Sequence, residues 1–219
     1  MVLARCLSFS RYVAESLLCK AVLLLVFSAG IVQAETLRLV AFGDSLTHGY
    51  GLPQDQGFVP QLERWLKDQG QDVQVINMGV SGDTTAGGRA RLSWALADGA
   101  DALILELGGN DLLRGIDPAA SRENLDAMLT ELGGQGVPVL LAGLEAPLNY
   151  GSDFKQAFDS MYPDLAEAHG AVLYPSFVEG VVNAEMTQAD GIHPNEKGVA
   201  KIVEGIGPKV LELLARAQK

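Results

Sequence analysis

Three residues whose types suit nucleophilic catalysis lie near opposite ends of the chain. Ser45 follows an apolar run, Leu37 to Phe42, and stands in a sharp turn after a glycine and an aspartate. Asp190 and His193 lie near the other end, three residues apart. A serine hydroxyl is a weak nucleophile that needs a base within hydrogen-bonding reach, and the base needs a group that orients it. Together these residue types indicate acyl transfer through a covalent serine intermediate.

His193 is the histidine best placed by the sequence to act as that base. His48 lies only three residues after Ser45, where local geometry seldom allows such a role. His169 stands before a glycine, and a cap at a helix C-terminus explains that pattern more simply. The spacing of Asp190 and His193 lets the carboxylate reach the ring Nδ1–H within one turn and fix the tautomer.

Three groups could stabilise an oxyanion in the transition state. They are the backbone N–H groups of Ser45 and Gly82 and the side-chain amide of Asn110. Gly82 lies in a glycine-rich turn, where the missing side chain permits close approach of the backbone. Each well-placed donor contributes roughly 3–4 kcal/mol in the transition state. Turn formation alone would explain Gly82 or Asn110 in isolation, and turn capping would explain Ser45. The combination with Asp190 and His193 favours catalysis.

Other catalytic motifs fit this sequence poorly. The glycine-rich stretch 79–88 lacks the pattern of a phosphate-binding loop. Ser45 does not stand in the G-x-S-x-G elbow of the α/β-hydrolases. Cysteine and histidine show no metal-ligand spacing, so the sequence predicts no metal site.

Strands and helices alternate five times along the chain. This alternation predicts a parallel sheet covered by helices on both faces, a three-layer α/β/α fold. A flavodoxin-like strand order, 2-1-3-4-5, would bring Ser45 and Asn110 together where the strand order reverses. We expect Pro208 to kink or split the last helix. The predicted strands cover residues 37–42, 73–77, 102–107, 137–142 and 171–174.

Residues 1–34 are predicted to be a secretory signal. The segment has a basic lead and then an uncharged, mostly apolar stretch, 21–34, which ends in a small-residue cleavage pattern. The stretch is shorter than the ~20 residues of a membrane-spanning helix. We therefore expect cleavage near Ala34, export to the periplasm or beyond the cell, and a single domain over residues 35–219.

Charge and cysteine content narrow the range of partners and cross-links. The net charge is −11, and the segment 1–34 is itself basic, so the remaining chain is more acidic still. A surface this acidic disfavours nucleic acid and anionic membranes as partners, and we expect no stable membrane anchor. Cys6 and Cys19, the only cysteines, lie in the signal segment, so the mature protein cannot form a disulfide.

Four short blocks resemble those of the SGNH (GDSL) hydrolase family, in the family's order. They are GDSLT around Ser45, SGDT around Gly82, GGND around Asn110 and DGIHPN around Asp190 and His193. The resemblance implies Ser45 as nucleophile, His193 as base and Asp190 as its orienting carboxylate. It also implies an oxyanion hole made by Ser45, Gly82 and Asn110, an α/β/α fold and no cofactor.

Within that family the chain looks most like the periplasmic thioesterases that are also lysophospholipases, and like the arylesterases. The resemblance implies hydrolysis of small acyl esters and thioesters, and movement of residues 111–116 when substrate binds. One departure concerns the acyl site: relatives commonly carry a basic residue in the loop after the fourth strand, where this chain has Glu145. The candidate substrate-binding residues are Asp111, Leu112, Leu113, Ile116, Leu144 and Pro147.

Two other functions remain open on the sequence. Carbohydrate O-deacetylation is known in the same family, although Trp65 and Trp94 both lie on predicted helices and offer little platform for a sugar. A periplasmic acyl- or lipid-binding module without turnover is the alternative from another class. The presence of every expected catalytic residue type argues against it.

Overall fold

The computed structural model describes residues 36–218, so the predicted signal segment lies outside the described residues. Five parallel strands form one sheet in the order β2-β1-β3-β4-β5, which confirms the predicted order. The strands are β1 (Leu37–Gly43), β2 (Val73–Gly79), β3 (Ala102–Glu106), β4 (Val139–Ala142) and β5 (Val172–Tyr174).

Helices cover both faces of the sheet, as the alternating pattern predicts. The helices are α1 (Ser45–His48), α2 (Phe58–Asp68), α3 (Thr85–Ala95), α4 (Gly109–Leu113), α5 (Pro118–Gly134), α6 (Ser152–His169) and α7 (Glu196–Ala217). Helices α2 and α7 pack against each other, while α5 packs against both α3 and α6. The chain passes from β1 to β2 on one side and then from β2 across to β3, β4 and β5 on the other side. Because such connections are right-handed, α2 and α7 lie on one face of the sheet and α3, α5 and α6 lie on the other. No helix within residues 36–218 is long and apolar enough to span a membrane.

The register of the central strands explains why the site forms at one edge. Gly43 at the end of β1 pairs with Gly79 on β2 and with Glu106 on β3. The segments that follow these three strands therefore leave the sheet at the same level. A side chain at Gly43 would overlap the Thr47 hydroxyl and the Glu106 carbonyl, so only glycine fits there. Ligands of open parallel sheets bind at this carboxyl edge.

The last helix is not split at its proline. We expected Pro208 to kink or split the helix, and α7 runs without a break from Glu196 to Ala217 with the proline inside. Pro208 and Glu204, whose carbonyl loses its usual N–H partner, are both exposed. Water can therefore satisfy the carbonyl, and the apolar face of α7 still packs without interruption. Pro163 in α6 is likewise exposed and is accommodated in the same way.

Candidate active site

Ser45 is the first residue of α1, directly after the turn that ends β1. The preceding Asp44 is 1% exposed and its carboxylate accepts the backbone N–H of Leu46 at 3.0 Å, which caps the helix. As the first residue of a helix, Ser45 has an N–H with no acceptor inside that helix. This N–H also has no acceptor among the hydrogen bonds found within residues 36–218.

His193 and Asp190 reach Ser45 from the loop before α7. The His193 Nε2 lies 3.0 Å from the Ser45 Oγ, and the Nδ1 lies 2.6 Å from Asp190 Oδ2. A proton on Nδ1 satisfies the carboxylate and leaves Nε2 free to accept the serine O–H. The second carboxylate oxygen accepts the backbone N–H groups of Ile192 and His193 at 2.9 and 3.0 Å. The loop is therefore held in the geometry that this tautomer requires.

The hydrogen bond from His193, followed by the two backbone N–H bonds, lowers the pKa of Asp190 to about 2. The carboxylate is consequently ionised throughout the neutral range. A negative charge beside Nδ1 favours positive charge on the imidazole, which is what forms when the ring takes a proton from serine.

The two other predicted oxyanion donors lie at the same cavity as Ser45 and His193. Gly82 occupies a tight turn with a φ of +83°, a conformation that favours glycine. Its N–H has no acceptor among the hydrogen bonds of the described residues. One amide hydrogen of Asn110 is directed to Asp44 Oδ2 at 3.1 Å, and this leaves the second for a ligand. Both residues line the cavity together with Ser45.

The cavity is about 530 Å³ in volume and mostly apolar. Three of the six predicted substrate-binding residues line it, namely Leu112, Leu113 and Leu144. The other three, Asp111, Ile116 and Pro147, are not among its lining residues. Asp111 is 1% exposed and instead accepts hydrogen bonds from the backbone and hydroxyl of Thr85 and from Ser121.

Several lining residues were not predicted. Val178 and Val182 follow β5 in an irregular segment, where neither periodicity nor a motif marks them. Ile192 stands between Asp190 and His193 in the sequence, so it could have been predicted to line the cavity from its position in that motif. Tyr50 packs its ring on the His193 imidazole with the ring centres 4.6 Å apart. Glu145, which the sequence analysis placed near the acyl site, also lines the cavity. The remaining lining residues that were not predicted are Asp44, Leu46, Ser81, Gly109 and Gly191.

Two buried acidic residues, Asp44 and Glu106, support the nucleophile turn, which is the segment from Gly43 to Thr47 that carries Ser45. Glu106, fully buried at the end of β3, accepts the Thr47 hydroxyl at 2.8 Å and the Asp44 N–H at 3.4 Å. Burial raises the pKa of Asp44 to about 6, although hydrogen bonds from Leu46 and Asn110 oppose the shift. Burial, and then the charge of Asp44, raises the pKa of Glu106 well above its usual range. Sequence analysis did not identify this pair.

A second cavity lies apart from the predicted site residues, and no metal-binding cluster is found among the described residues. A larger cavity of about 840 Å³ lies beside α1, α2 and β2 and includes none of the predicted site residues. Within residues 36–218, no three His, Cys, Asp or Glu side chains are grouped so as to hold a metal ion.

Comparison with known proteins agrees with the four blocks and the fold. A family model described as the GDSL-like Lipase/Acylhydrolase family matches residues 41–201. Esterase TesA of Pseudomonas aeruginosa is 42% identical over 184 residues, which cover 83% of this chain and 92% of that protein. Thioesterase 1/protease 1/lysophospholipase L1 of Escherichia coli K12 is 35% identical over 194 residues, covering 87% of this chain and 89% of the relative.

A solved structure shows the same relationship in three dimensions. A crystal structure of TesA superposes with a TM-score of 0.76 at 40% identity, over 80% of this chain and 99% of that one. Identity at this level over nearly the whole described region shows common family as well as common fold. This chain belongs to the GDSL-like lipase/acylhydrolase family, and it is a serine hydrolase.

Proposed function

We propose that the protein hydrolyses acyl esters and thioesters through an acyl-Ser45 intermediate. His193 takes the serine proton as Ser45 attacks the carbonyl carbon, and it then returns the proton to the leaving alcohol or thiol. Water, deprotonated by the same histidine, attacks the acyl-enzyme and releases the carboxylic acid and free serine. Asp190 holds the imidazole in the required tautomer and stabilises its charged form.

The single observation that carries this proposal is the continuous chain of hydrogen bonds from Asp190 through His193 to Ser45. Its two links measure 2.6 and 3.0 Å. Beside it are the N–H groups of Ser45 and Gly82 and the second amide hydrogen of Asn110, none of which has an acceptor within residues 36–218, and we assign these three donors to the oxyanion hole. Donors that are already in place act on the charge that develops at the carbonyl oxygen.

The cavity supports an acyl substrate. Its lining surface is mostly apolar, and Leu113, Val182 and Ile192, which line it, are each at least half exposed to solvent. An acyl chain would cover this apolar surface, and each buried methylene contributes about 0.8 kcal/mol. The relatives' names, an esterase and a thioesterase that is also a lysophospholipase, support oxygen and sulfur esters as the substrate classes.

The test is mass spectrometry of the purified protein after exposure to a fluorophosphonate, beside a Ser45→Ala control. A single adduct on Ser45, with parallel loss of p-nitrophenyl ester hydrolysis, is the expected result. A folded protein that forms no adduct would lack an activated serine. If that protein still bound fatty acid without hydrolysis, the acyl-binding module would replace the enzyme.

We also propose that residues 1–34 direct export and that residues 35–219 form the mature protein, in the periplasm or outside the cell. The basic lead, the short apolar stretch and the small residues before Glu35 support this. Amino-terminal sequencing of protein recovered from periplasm and medium is the test. A mature protein that begins at Met1 would contradict it.

A further inference from the structure

Arg91 on α3 connects the two turns that carry Ser45 and Gly82. The side chain is only 17% exposed. Its Nε donates to Asp83 Oδ2 at 2.6 Å, its Nη1 to the Met78 carbonyl at 2.9 Å, and its Nη2 to the Gly43 carbonyl at 2.9 Å. The guanidinium carbon lies 4.0 Å from the centre of the Phe42 ring. All three nitrogens are thus engaged, and one face is stacked.

The acceptors of Arg91 lie next to the proposed oxyanion donors. Gly43 is two residues before Ser45, and Asp83 directly follows Gly82. The Gly43 carbonyl also accepts the N–H of Val80 at 3.0 Å. The N–H of Asp83 returns to the Val80 carbonyl at 3.0 Å and so closes a turn with Gly82 inside it.

Both ends of the Gly82 turn are therefore anchored to one carbonyl group. Val80 is held by its own N–H, and Asp83 is held through Arg91. We propose that Arg91 is a positioning residue that fixes the separation between the backbone N–H groups of Ser45 and Gly82. This inference rests on the proposed function. Arg91 does not line the cavity, so it acts through the two turns and not on the substrate.

The geometry requires arginine and not merely a cation. A guanidinium presents its N–H groups in a rigid planar fork, whereas a lysine ammonium is a compact point charge on a flexible stem. A single lysine ammonium cannot donate to the Asp83 carboxylate and to the two carbonyl groups in the directions from which Arg91 contacts them. It also has no planar face to stack on Phe42. The substitution Arg91→Lys keeps the charge and removes the fork.

We expect Arg91→Lys and Arg91→Ala each to lower kcat by about 10- to 100-fold. Misplacement of a catalytic group by about 1 Å can cost on the order of 100-fold. KM should change less than about twofold, because the oxyanion donors act in the transition state more than in the ground state. Kinetics with a p-nitrophenyl ester, run well below the unfolding temperature of each variant, give both constants.

Arg89 provides a matched control on the same helix. Its side chain is 47% exposed and contacts Glu123 at 3.6 Å and the Asn124 side chain at 3.3 Å, away from both turns. Arg89→Lys should leave kcat and KM unchanged. If an Arg91 variant fails to fold, Asp83→Asn serves instead, because it weakens only one of the three contacts. A fall in kcat of about threefold or more at constant KM is expected for it.

A double-mutant cycle separates positioning from a general structural loss. Asn110 supplies the third proposed donor to the same oxyanion, so the combined Arg91→Lys/Asn110→Ala loss should be smaller than the product of the single losses. Wild-type kcat in Arg91→Lys would overturn the proposal, as would a raised KM at constant kcat or strictly multiplicative losses. Fluorophosphonate labelling of wild-type protein keeps the tests distinct. If the wild type is labelled and the Arg91 variants keep wild-type kcat, only this inference is contradicted. If the wild type is not labelled, the proposed function itself is contradicted.

Discussion

The two regions that meet at the candidate site differ in how they are held. The nucleophile turn, from Gly43 to Thr47, lies at the buried end of β1 and is tied to Glu106 on β3 and to Arg91 on α3. The loop from Gln188 to His193 is largely exposed and is held mainly by its own hydrogen bonds, with one from the Gln188 amide to the Tyr50 carbonyl. One half of the site is thus part of the core, and the other half is a surface loop that rests on it.

The carboxylates of the two regions show the difference most clearly. Asp44 is buried, and burial raises its pKa to about 6. The side chain of Asp190 is 38% exposed, and the hydrogen bond from His193 lowers its pKa to about 2. The buried aspartate orients a backbone N–H and Asn110, whereas the exposed one supports charge on an imidazole. The same residue type serves structure in one region and charge balance in the other.

Removal of either reacting group tests whether the two regions form one unit. Ser45→Ala and His193→Ala should each lower kcat by about a millionfold, and the double variant should be no worse. The reason is that neither group works without the other. Initial rates with a p-nitrophenyl ester at high enzyme concentration provide the measurement. A His193→Ala variant with substantial turnover would mean that another base serves Ser45.

On the buried side of the site, Asn110 donates to Asp44 and is a proposed oxyanion donor, so its truncation should lower turnover. Asn110→Ala should lower kcat by about 10²- to 10³-fold because it removes one oxyanion donor. Asn124→Ala is the control, since Asn124 contacts Thr85 and Arg89 outside the cavity and should keep wild-type kcat. Near-wild-type turnover in Asn110→Ala would exclude this residue from the oxyanion hole.

Gln188 joins the exposed loop that carries His193 to Tyr50, close after Ser45 in the chain. Removing the Gln188 side chain should therefore make the position of His193 less precise. The Gln188 amide donates to the carbonyls of Tyr50 at 2.8 Å and Pro194 at 3.0 Å, and its backbone N–H donates to the His193 carbonyl at 2.8 Å. Gln188→Ala should lower kcat about tenfold because His193 is held less precisely against Ser45.

A matched exposed glutamine, Gln135, should tolerate the same change, as it lies at the end of α5. Comparison of kcat for the two variants is the measurement. Equal values would show that the loop keeps its geometry without the Gln188 side chain.

The last expected effect is on stability and not on turnover, and its pH dependence has opposite signs in the two regions. A raised pKa means that ionised Asp44 opposes folding, by roughly 3 kcal/mol for a shift of this size. The stability of wild type relative to Asp44→Asn should therefore fall as pH rises from 4 through 6. A lowered pKa means that ionised Asp190 favours folding, so wild type should lose its advantage over Asp190→Asn as pH falls from 4 to 2. Thermal unfolding of the three proteins across these ranges gives both slopes, and slopes of the same sign would contradict the assignment.

The sequence predicted the fold because each element carries its own local signal. Strand β3 is apolar except for Glu106 at its end. Asp117–Pro118 marks the start of α5, where the Asp117 carboxylate accepts the Ala119 N–H at 2.9 Å. Pro208 does not split the last helix, because it lies on the exposed face, between the buried Ile206 and Val210. The fourth predicted strand began at residue 137, whereas β4 begins at Val139, after a proline that has no N–H to donate.

Contacts between distant segments explain what the sequence could not reveal at the site. Short motifs predicted which residues stand at the strand ends, and the structure places Ser45, Gly82, Asn110 and His193 around one cavity. Glu106 is the one charged residue of the predicted strand 102–107, but the sequence does not show that it contacts the turn that carries Ser45. The contact of Arg91 with the Gly43 carbonyl spans 48 residues, and the register of β1 and β2 brings Gly43 beside the Gly82 turn.

The position of the base along the chain has a consequence for biosynthesis. The Ser45–His193 hydrogen bond joins residues 148 positions apart, and His193 comes after every strand of the sheet. Because synthesis proceeds from the amino terminus, the nucleophile and the sheet are made well before the base. A nascent chain that stops short of residue 193 carries a serine with no partner to activate it. The Ser45–His193 pair can therefore form only after synthesis has passed residue 193.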